Sequence, residues 1–378
     1  MNTAKHSTFP EVGVPFLWPL EVLSELAKSE ADLLTRQAKF QTEIQKTQIE
    51  RPDPTWATPN RVVTELHTSR LRSFDEGGQS ASTGTATLVL APYAGHTSTI
   101  ADFARGQSLV ETLVKHGVHR VHVTDWKSAS SDMRDYDIDN YLADLNVCVD
   151  DIGGRVHLIG LCQGGWLAAM YAARFPGKTV SLTLAGSPID TDAGTSEIKN
   201  YAHELPLSFF EELVALGDGV LQGRFMLGGF KNMHPEKQYF DKYVDLYEHV
   251  DEPAYVARFE QFERWYEKTI DLPGRWYLQA ISQLFKENRF FKGEFVGLGR
   301  RLDLRSVQCP VYLLAGKEDD ITPADQVFNA AQRLGTAPGS IVKDLAAGGH
   351  IGLFMGRTAL ERNWTKIARW ILDVERTA

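Results

Sequence analysis

Gly154-Arg155-Val156-His157-Leu158-Ile159-Gly160-Leu161-Cys162-Gln163-Gly164-Gly165-Trp166 is the stretch from which the fold can be read. Residues 156–161 form a short run rich in β-forming apolar side chains. Gly160, Gly164 and Gly165 bracket Cys162, and a helical stretch over 166–174 follows at once. The pattern G-x-C-x-G therefore reads as strand, sharp turn and helix. Such a turn holds its central residue in a strained conformation, so the side chains beside it must be tiny. Gly160 and Gly164 meet that demand, and Ala168, Ala169 and Ala172 let the helix approach a sheet closely. A nucleophile on this turn stands above the sheet edge, at a helix N-terminus whose partial positive charge favours thiolate. The plainer alternative is a buried cysteine on a β–α turn. The partners found downstream favour the nucleophile.

Strand and helix alternate on both sides of this stretch. Residues 61–73 suggest sheet-edge strands, and 77–84 is a Gly/Ser/Thr turn. Residues 87–91 form a compact apolar strand that runs into Pro92-Tyr93-Ala94-Gly95-His96. A helix near 106–116 and a strand over 120–124 follow, the strand ending in Asp125-Trp126. Asp137 can cap a helix that runs to about Cys148, and 180–185 is a further strand. This rhythm predicts a mostly parallel sheet with helices on both faces. It breaks over 191–305, which is helical and aromatic and reads as an inserted cap. It resumes with a strand over 310–315, a helix over 325–334, a strand over 340–345 and a closing helix over 360–374. The expected organisation is an N-terminal tail and long helix (1–54), a first core part (55–190), the cap (191–305) and a second core part (306–378). Within the first segment, 1–16 reads as a loose tail and 17–48 as a helix with Leu20, Leu23, Ala27, Leu34 and Ala38 near one stripe. That helix can pack on its own domain, form a homodimer contact or attach to an apolar surface.

Composition narrows the function classes. The chain has 378 residues, 43% hydrophobic content and a formal net charge of −9, which suits a globular protein and argues against nucleic acid as a partner. Cys148, Cys162 and Cys309 cannot pair completely, which suggests a reducing, cytoplasmic compartment. Residues 1–25 lack a secretory pattern, and no apolar run approaches the ~20 residues of a transmembrane helix. No metal-ligand cluster or phosphate-binding loop is visible, so neither a metal nor a cofactor is expected.

A cysteine nucleophile needs a base, an acid to orient that base, and an oxyanion hole. The turn around Cys162 has the form of the nucleophile elbow of α/β-hydrolases, in which the chain order is nucleophile, acid, histidine. Here that order gives Cys162, Asp319 and His350. Asp319 lies in a G-x-x-D-x-I-x-P turn after a strand, with Asp320 as its competitor. His350 follows the last strand behind Gly348-Gly349, which leave room for an imidazole. His350 would take the thiol proton or hold a thiolate–imidazolium pair, and Asp319 would fix its tautomer. Oxyanion donors are expected from the backbone N–H of Gln163 and from the loop after the 87–91 strand, at Ala94 or Tyr93. His96 either orients water or substrate or pins that loop. Trp126 and Trp166 are further substrate-pocket candidates.

At these motifs the chain resembles the polyhydroxyalkanoate synthases and the intracellular polyhydroxyalkanoate depolymerases, a family of α/β-hydrolases with a Cys-Asp-His triad. Gly160-Leu161-Cys162-Gln163-Gly164-Gly165 is similar to the synthase box. Residues 91–96, 123–126, 271–273, 276–279, 292–294 and 350–357 look more like the depolymerases. Those depolymerases tend to carry proline soon after Cys-Gln, where this chain has Gly164. The resemblance implies an ester hydrolase, a depolymerase of poly(3-hydroxybutyrate) working through an acyl-cysteine. A synthase-type acyltransferase using 3-hydroxyacyl-CoA is the alternative it leaves, and a non-catalytic granule-associated protein is a further one. In each case the implied partner is a polyester chain or hydroxyacyl oligomer, with the granule surface beside it.

Overall fold

Eight strands make one sheet: β1 (Arg61–Glu65), β2 (Ser69–Ser73), β3 (Ala86–Leu90), β4 (Val121–Trp126), β5 (Val156–Leu161), β6 (Thr179–Ala185), β7 (Val311–Gly316) and β8 (Ile341–Ala346). The structure is a computed structural model that describes residues 30–48, 53–75 and 84–377. The spatial order is β1-β2-β4-β3-β5-β6-β7-β8. β1 and β2 pair antiparallel, as do β2 and β4, and every other neighbour is parallel. The apolar runs explain the layering. Every residue of β3, β5, β6 and β7 is buried, as strands covered on both faces require, whereas β1 is largely exposed at the edge.

The order reverses at β3, whose neighbours are β4 on one side and β5 on the other. In open α/β sheets the crevice at such a reversal, beyond the carboxyl ends of the strands, is where ligands bind. Leu90 at the end of β3 pairs with Gly160 near the end of β5. The loop after β3 and the turn carrying Cys162 therefore emerge side by side.

The helix Gln163–Arg174 starts immediately after Cys162 and buries almost its whole length. Its approach leaves no space for side chains at the turn. A Cβ on Gly160 would lie 2.4 Å from Gly165 Cα, and one on Gly164 would lie 2.3 Å from the Leu90 carbonyl oxygen. Both obstacles are backbone, which cannot swing aside. Gly164→Ala should accordingly destabilise the fold by about 1–3 kcal/mol, as overpacked cores do; a thermal midpoint equal to that of the wild type would refute this close approach.

Local signals fix the flanking elements. Asp137 caps the helix Ile138–Asp151, accepting from Asp139 N while Asn140 returns a bond to Asp137 N. At the opposite end of the sheet His157 is buried in β5 and satisfied on both ring nitrogens, by Ser181 Oγ at 2.8 Å and Glu375 Oε2 at 2.9 Å. Glu375 lies on the closing helix Thr365–Thr377 and also accepts from Thr85 N, which ties that helix to the sheet. No helix among the described residues is long and apolar enough to cross a membrane.

The chain divides into two compact units, Met1–Pro52 with Lys231–Arg264, and Asp53–Phe230 with Trp265–Ala378. In the first, the helix Glu30–Gln48 packs through Phe40 against Leu246, Tyr247 and Val250. Arg36 lies 4.8 Å over the Tyr247 ring and donates to its carbonyl at 2.9 Å. The expected tail over 1–16, the start of the helix expected from 17, and most of the 77–84 turn lie outside the described residues. In the second unit the stretch after β6 folds into helices such as Glu197–Glu204, Leu207–Ala215 and Gly274–Gln279. The two-residue strands Val220–Leu221 and Leu272–Pro273 pair among them.

Candidate active site

Cys162 adopts φ 50° and ψ −119°, a conformation that costs an L-residue about 1–3 kcal/mol. Two backbone bonds hold it there: its N–H donates to Ala185 O at 2.9 Å and its carbonyl accepts from Gly165 N at 2.8 Å. The sulfur therefore stands at the carboxyl end of β5, on the first turn of the helix Gln163–Arg174. The other two thiols are in different surroundings. Burial pushes Cys148 and Cys309 up to about 12, which keeps both protonated at neutral pH.

The turns after β7 and β8 bring the other two groups to the same end. Lys317 N donates to Ala346 O and Glu318 N to Gly348 O, which joins the two turns. His350 is buried and donates from Nδ1 to Asp319 Oδ2 at 2.7 Å. The other oxygen, Asp319 Oδ1, accepts from Ile321 N at 3.1 Å and Thr322 N at 2.7 Å. Asp319 is thus buried and fully engaged, while Asp320 next to it is exposed. Burial by itself would push the His350 imidazole down. The charges of Asp319 and Cys162 outweigh it and hold the imidazole well above its ordinary value. His350 Nε2 is buried, finds no hydrogen-bond partner of regular geometry among the described residues, and lies within electrostatic reach of Cys162.

The residues expected to supply oxyanion donors follow the neighbouring strands β5 and β3. Gln163 opens the helix after Cys162, and Ala94 is buried in the loop after β3. Tyr93, the other residue weighed there, is sunk into a ring cluster. Its ring centroid lies 5.6 Å from Trp126, 5.1 Å from Tyr141 and 5.1 Å from Trp276. Its hydroxyl accepts from the Tyr141 hydroxyl at 3.0 Å.

The remaining candidates occupy unlike places. His96 stacks on Trp265 and Tyr266, with centroids 4.9 and 5.3 Å away, and its Nε2 bonds the Tyr266 carbonyl at 3.0 Å. With Ile270 N donating to Gly95 O at 2.9 Å, these contacts tether the 93–96 loop to the segment after 265. Trp126 gives its indole N–H to Ala91 O at 2.8 Å. Trp166 is 1% exposed and lies against Trp276, centroids 5.6 Å apart. Trp276 opens the family-like stretch 276–279, and the neighbouring Asp271-Leu272-Pro273 stretch meets the same loop, with Tyr93 Oη donating to Asp271 O at 3.3 Å.

A mostly parallel eight-stranded sheet with a nucleophile-type turn after β5 and a histidine after the last strand is the α/β-hydrolase fold. A carboxylesterase structure from the thaumarchaeon Nitrososphaera gargenis shares it, with TM-score 0.50 and 16% identity over 85% of this chain and 100% of that one. The chain belongs to the family described as protein of unknown function DUF3141, which matches residues 75–372. It is also similar to two proteins named poly(3-hydroxyalkanoate) polymerase subunit PhaC. The one from Haloferax mediterranei is 26% identical over 85% of this chain, and the match covers 65% of that relative's length. The one from Allochromatium vinosum is 26% identical over 75% of this chain and 78% of its own length.

These relatives bear out the resemblance to the polyhydroxyalkanoate synthase and depolymerase family, and they correct the activity expected within it. The depolymerase reading is overturned, because both of these relatives are named as polymerase subunits. Its physical weakness is visible in the fold. Residues 91–96, 123–126, 271–273 and 276–279, on which it partly rested, are joined through Tyr93, Trp126, Asp271 and Trp276. Their mutual packing ties them to a shared scaffold, so their likeness to depolymerases does not by itself identify the acceptor that reaches an acyl-enzyme.

Proposed function

We propose that this chain is an enzyme of the polyhydroxyalkanoate polymerase type, an acyltransferase that moves 3-hydroxyacyl groups from a CoA thioester to a growing polyester chain. What supports the reading most is the similarity over 85% and 75% of the chain to proteins named as polymerase subunits. The local geometry agrees with the chemistry it needs. Cys162 Sγ attacks the thioester carbonyl, and backbone N–H groups at Gln163 and Ala94 stabilise the oxyanion. The C–S bond to CoA breaks, and the departing thiolate takes a proton from the His350 imidazolium. The hydroxyl of the chain end then attacks the acyl-cysteine while His350 Nε2 accepts its proton. The chain is longer by one unit, and the thiolate–imidazolium pair is restored. Asp319 holds the imidazole throughout through the bond to Nδ1. A growing polyester end would place the enzyme's work at the polymer surface.

The test is direct. Purified protein supplied with 3-hydroxybutyryl-CoA should release free CoA and form oligomeric or polymeric 3-hydroxybutyrate. If no hydroxyacyl thioester yields either CoA or an acylated Cys162, the reading fails.

A further inference from the structure

Three buried polar atoms beside the elbow have no role in the steps above. Gln163 Oε1, Trp166 Nε1 and Trp276 Nε1 find no hydrogen-bond partner among the described residues. Trp166 and Trp276 are 1% and 2% exposed. A buried donor left unpaired costs about 1–3 kcal/mol, and a phenyl ring would fill much of either space without that cost. The same cluster satisfies its other polar atoms: Trp126 donates to Ala91 O, Tyr141 to Tyr93 Oη, and Tyr93 to Lys127 O and Asp271 O. Within this cluster the unpaired ring atoms are the two indole N–H groups of Trp166 and Trp276.

Their placement is coherent. Gln163 and Trp166 are three apart on that helix, so they share a face. Helical side chains lean towards the N-terminus, which here carries Cys162. Trp276 comes from another segment, lies tilted by 33° against Trp166, and touches Tyr93 on the loop that also carries Ala94.

We propose that Trp166, Trp276 and Gln163 form a subsite for a second oxygen-bearing unit of the substrate. The two indole N–H groups donate to the carbonyl oxygen of an ester beyond the reacting thioester. The Gln163 carboxamide oxygen accepts from the hydroxyl that such a unit carries. The ligand class is a 3-hydroxyacyl oligoester, and the inference rests on the polymerase reading.

The test compares acylation of Cys162 by butyryl-CoA, which has no second oxygen-bearing unit, with acylation by the CoA thioester of a 3-hydroxybutyrate dimer. The wild type should favour the dimer. Trp166→Phe and Trp276→Phe should each reduce that preference by about threefold to tenfold, the worth of one hydrogen bond, with butyryl transfer changed little. Replacing either tryptophan by 3-benzothienylalanine keeps the ring shape and drops the N–H, so it serves where phenylalanine unfolds the protein. An unchanged preference in a folded variant, or no preference in the wild type, overturns the subsite and leaves the polymerase reading standing. If neither thioester acylates wild-type Cys162, that reading falls and the subsite with it.

Discussion

Alanine at position 162 should lower thioester consumption by about 10⁴-fold or more and leave the thermal midpoint within a few degrees. The loss is large because, in the proposed reaction, Cys162 Sγ forms the covalent bond. Without it, only binding and the oxyanion donors remain, and in comparable triads these retain a small residue of the full acceleration. Stability should hold because the strained backbone at φ 50° is maintained by main-chain bonds to Ala185 and Gly165, which alanine preserves. Any L-residue bears the same conformational cost, so alanine neither adds nor relieves it. Mass spectrometry of protein mixed with a hydroxyacyl thioester should show an acyl adduct on the wild type and none on the variant. Turnover near the wild-type rate would remove Cys162 from the chemistry.

The fold was legible in the sequence because its signals are local. A strand buried on both faces must be apolar throughout, and 156–161 is. A helix meeting a strand at a strained turn needs glycine where backbone touches backbone, and Gly160 and Gly164 are at those contacts. The elbow, the acid turn and the histidine turn were each readable because each follows a strand of one parallel sheet, whose carboxyl ends share a side. Other features were not legible, because they join residues far apart in the chain. Arg36 on Tyr247 and Phe40 among Leu246, Tyr247 and Val250 have no local sequence signature. Nothing in either stretch alone announces the pairing. The ring cluster is the same case: Tyr93, Trp126, Tyr141, Trp166 and Trp276 come from five segments, and any one of them reads as ordinary core.

That cluster also explains why the activity was misread. Several family-like stretches look like independent witnesses when they lie apart in sequence. Here Tyr93, Trp126, Asp271 and Trp276 touch, so the stretches that carry them belong to one packing arrangement. They count as a single observation about scaffold. The proposed subsite rests on a separate observation, the unpaired indole N–H groups of Trp166 and Trp276.

Asp319→Asn should cut acyl transfer by about 10³- to 10⁴-fold and lower the His350 pKa from its raised position. The hydrogen bonds dictate how. Asp319 Oδ1 accepts from Ile321 N and Thr322 N, so an asparagine must keep its oxygen there and present its NH₂ to His350. That NH₂ can only donate, which forces Nδ1 to become the acceptor and puts the imidazole proton on Nε2. The neutral ring then offers Cys162 a proton where it should accept one. Burial, the largest influence on the imidazole, pushes it down, and the Asp319 charge is the foremost of those pushing it up. Removing that charge leaves burial less opposed. The linkage has a definite sign. A pKa raised in the folded state stabilises the fold fully below the unfolded value of about 6.5, and this contribution is lost as pH rises through the folded value. The destabilisation by Asp319→Asn should therefore be greatest in acid and shrink as pH rises. Thermal midpoints against pH and an NMR titration of the imidazole measure both effects. Unchanged turnover with an unmoved titration would show that some other group orients His350.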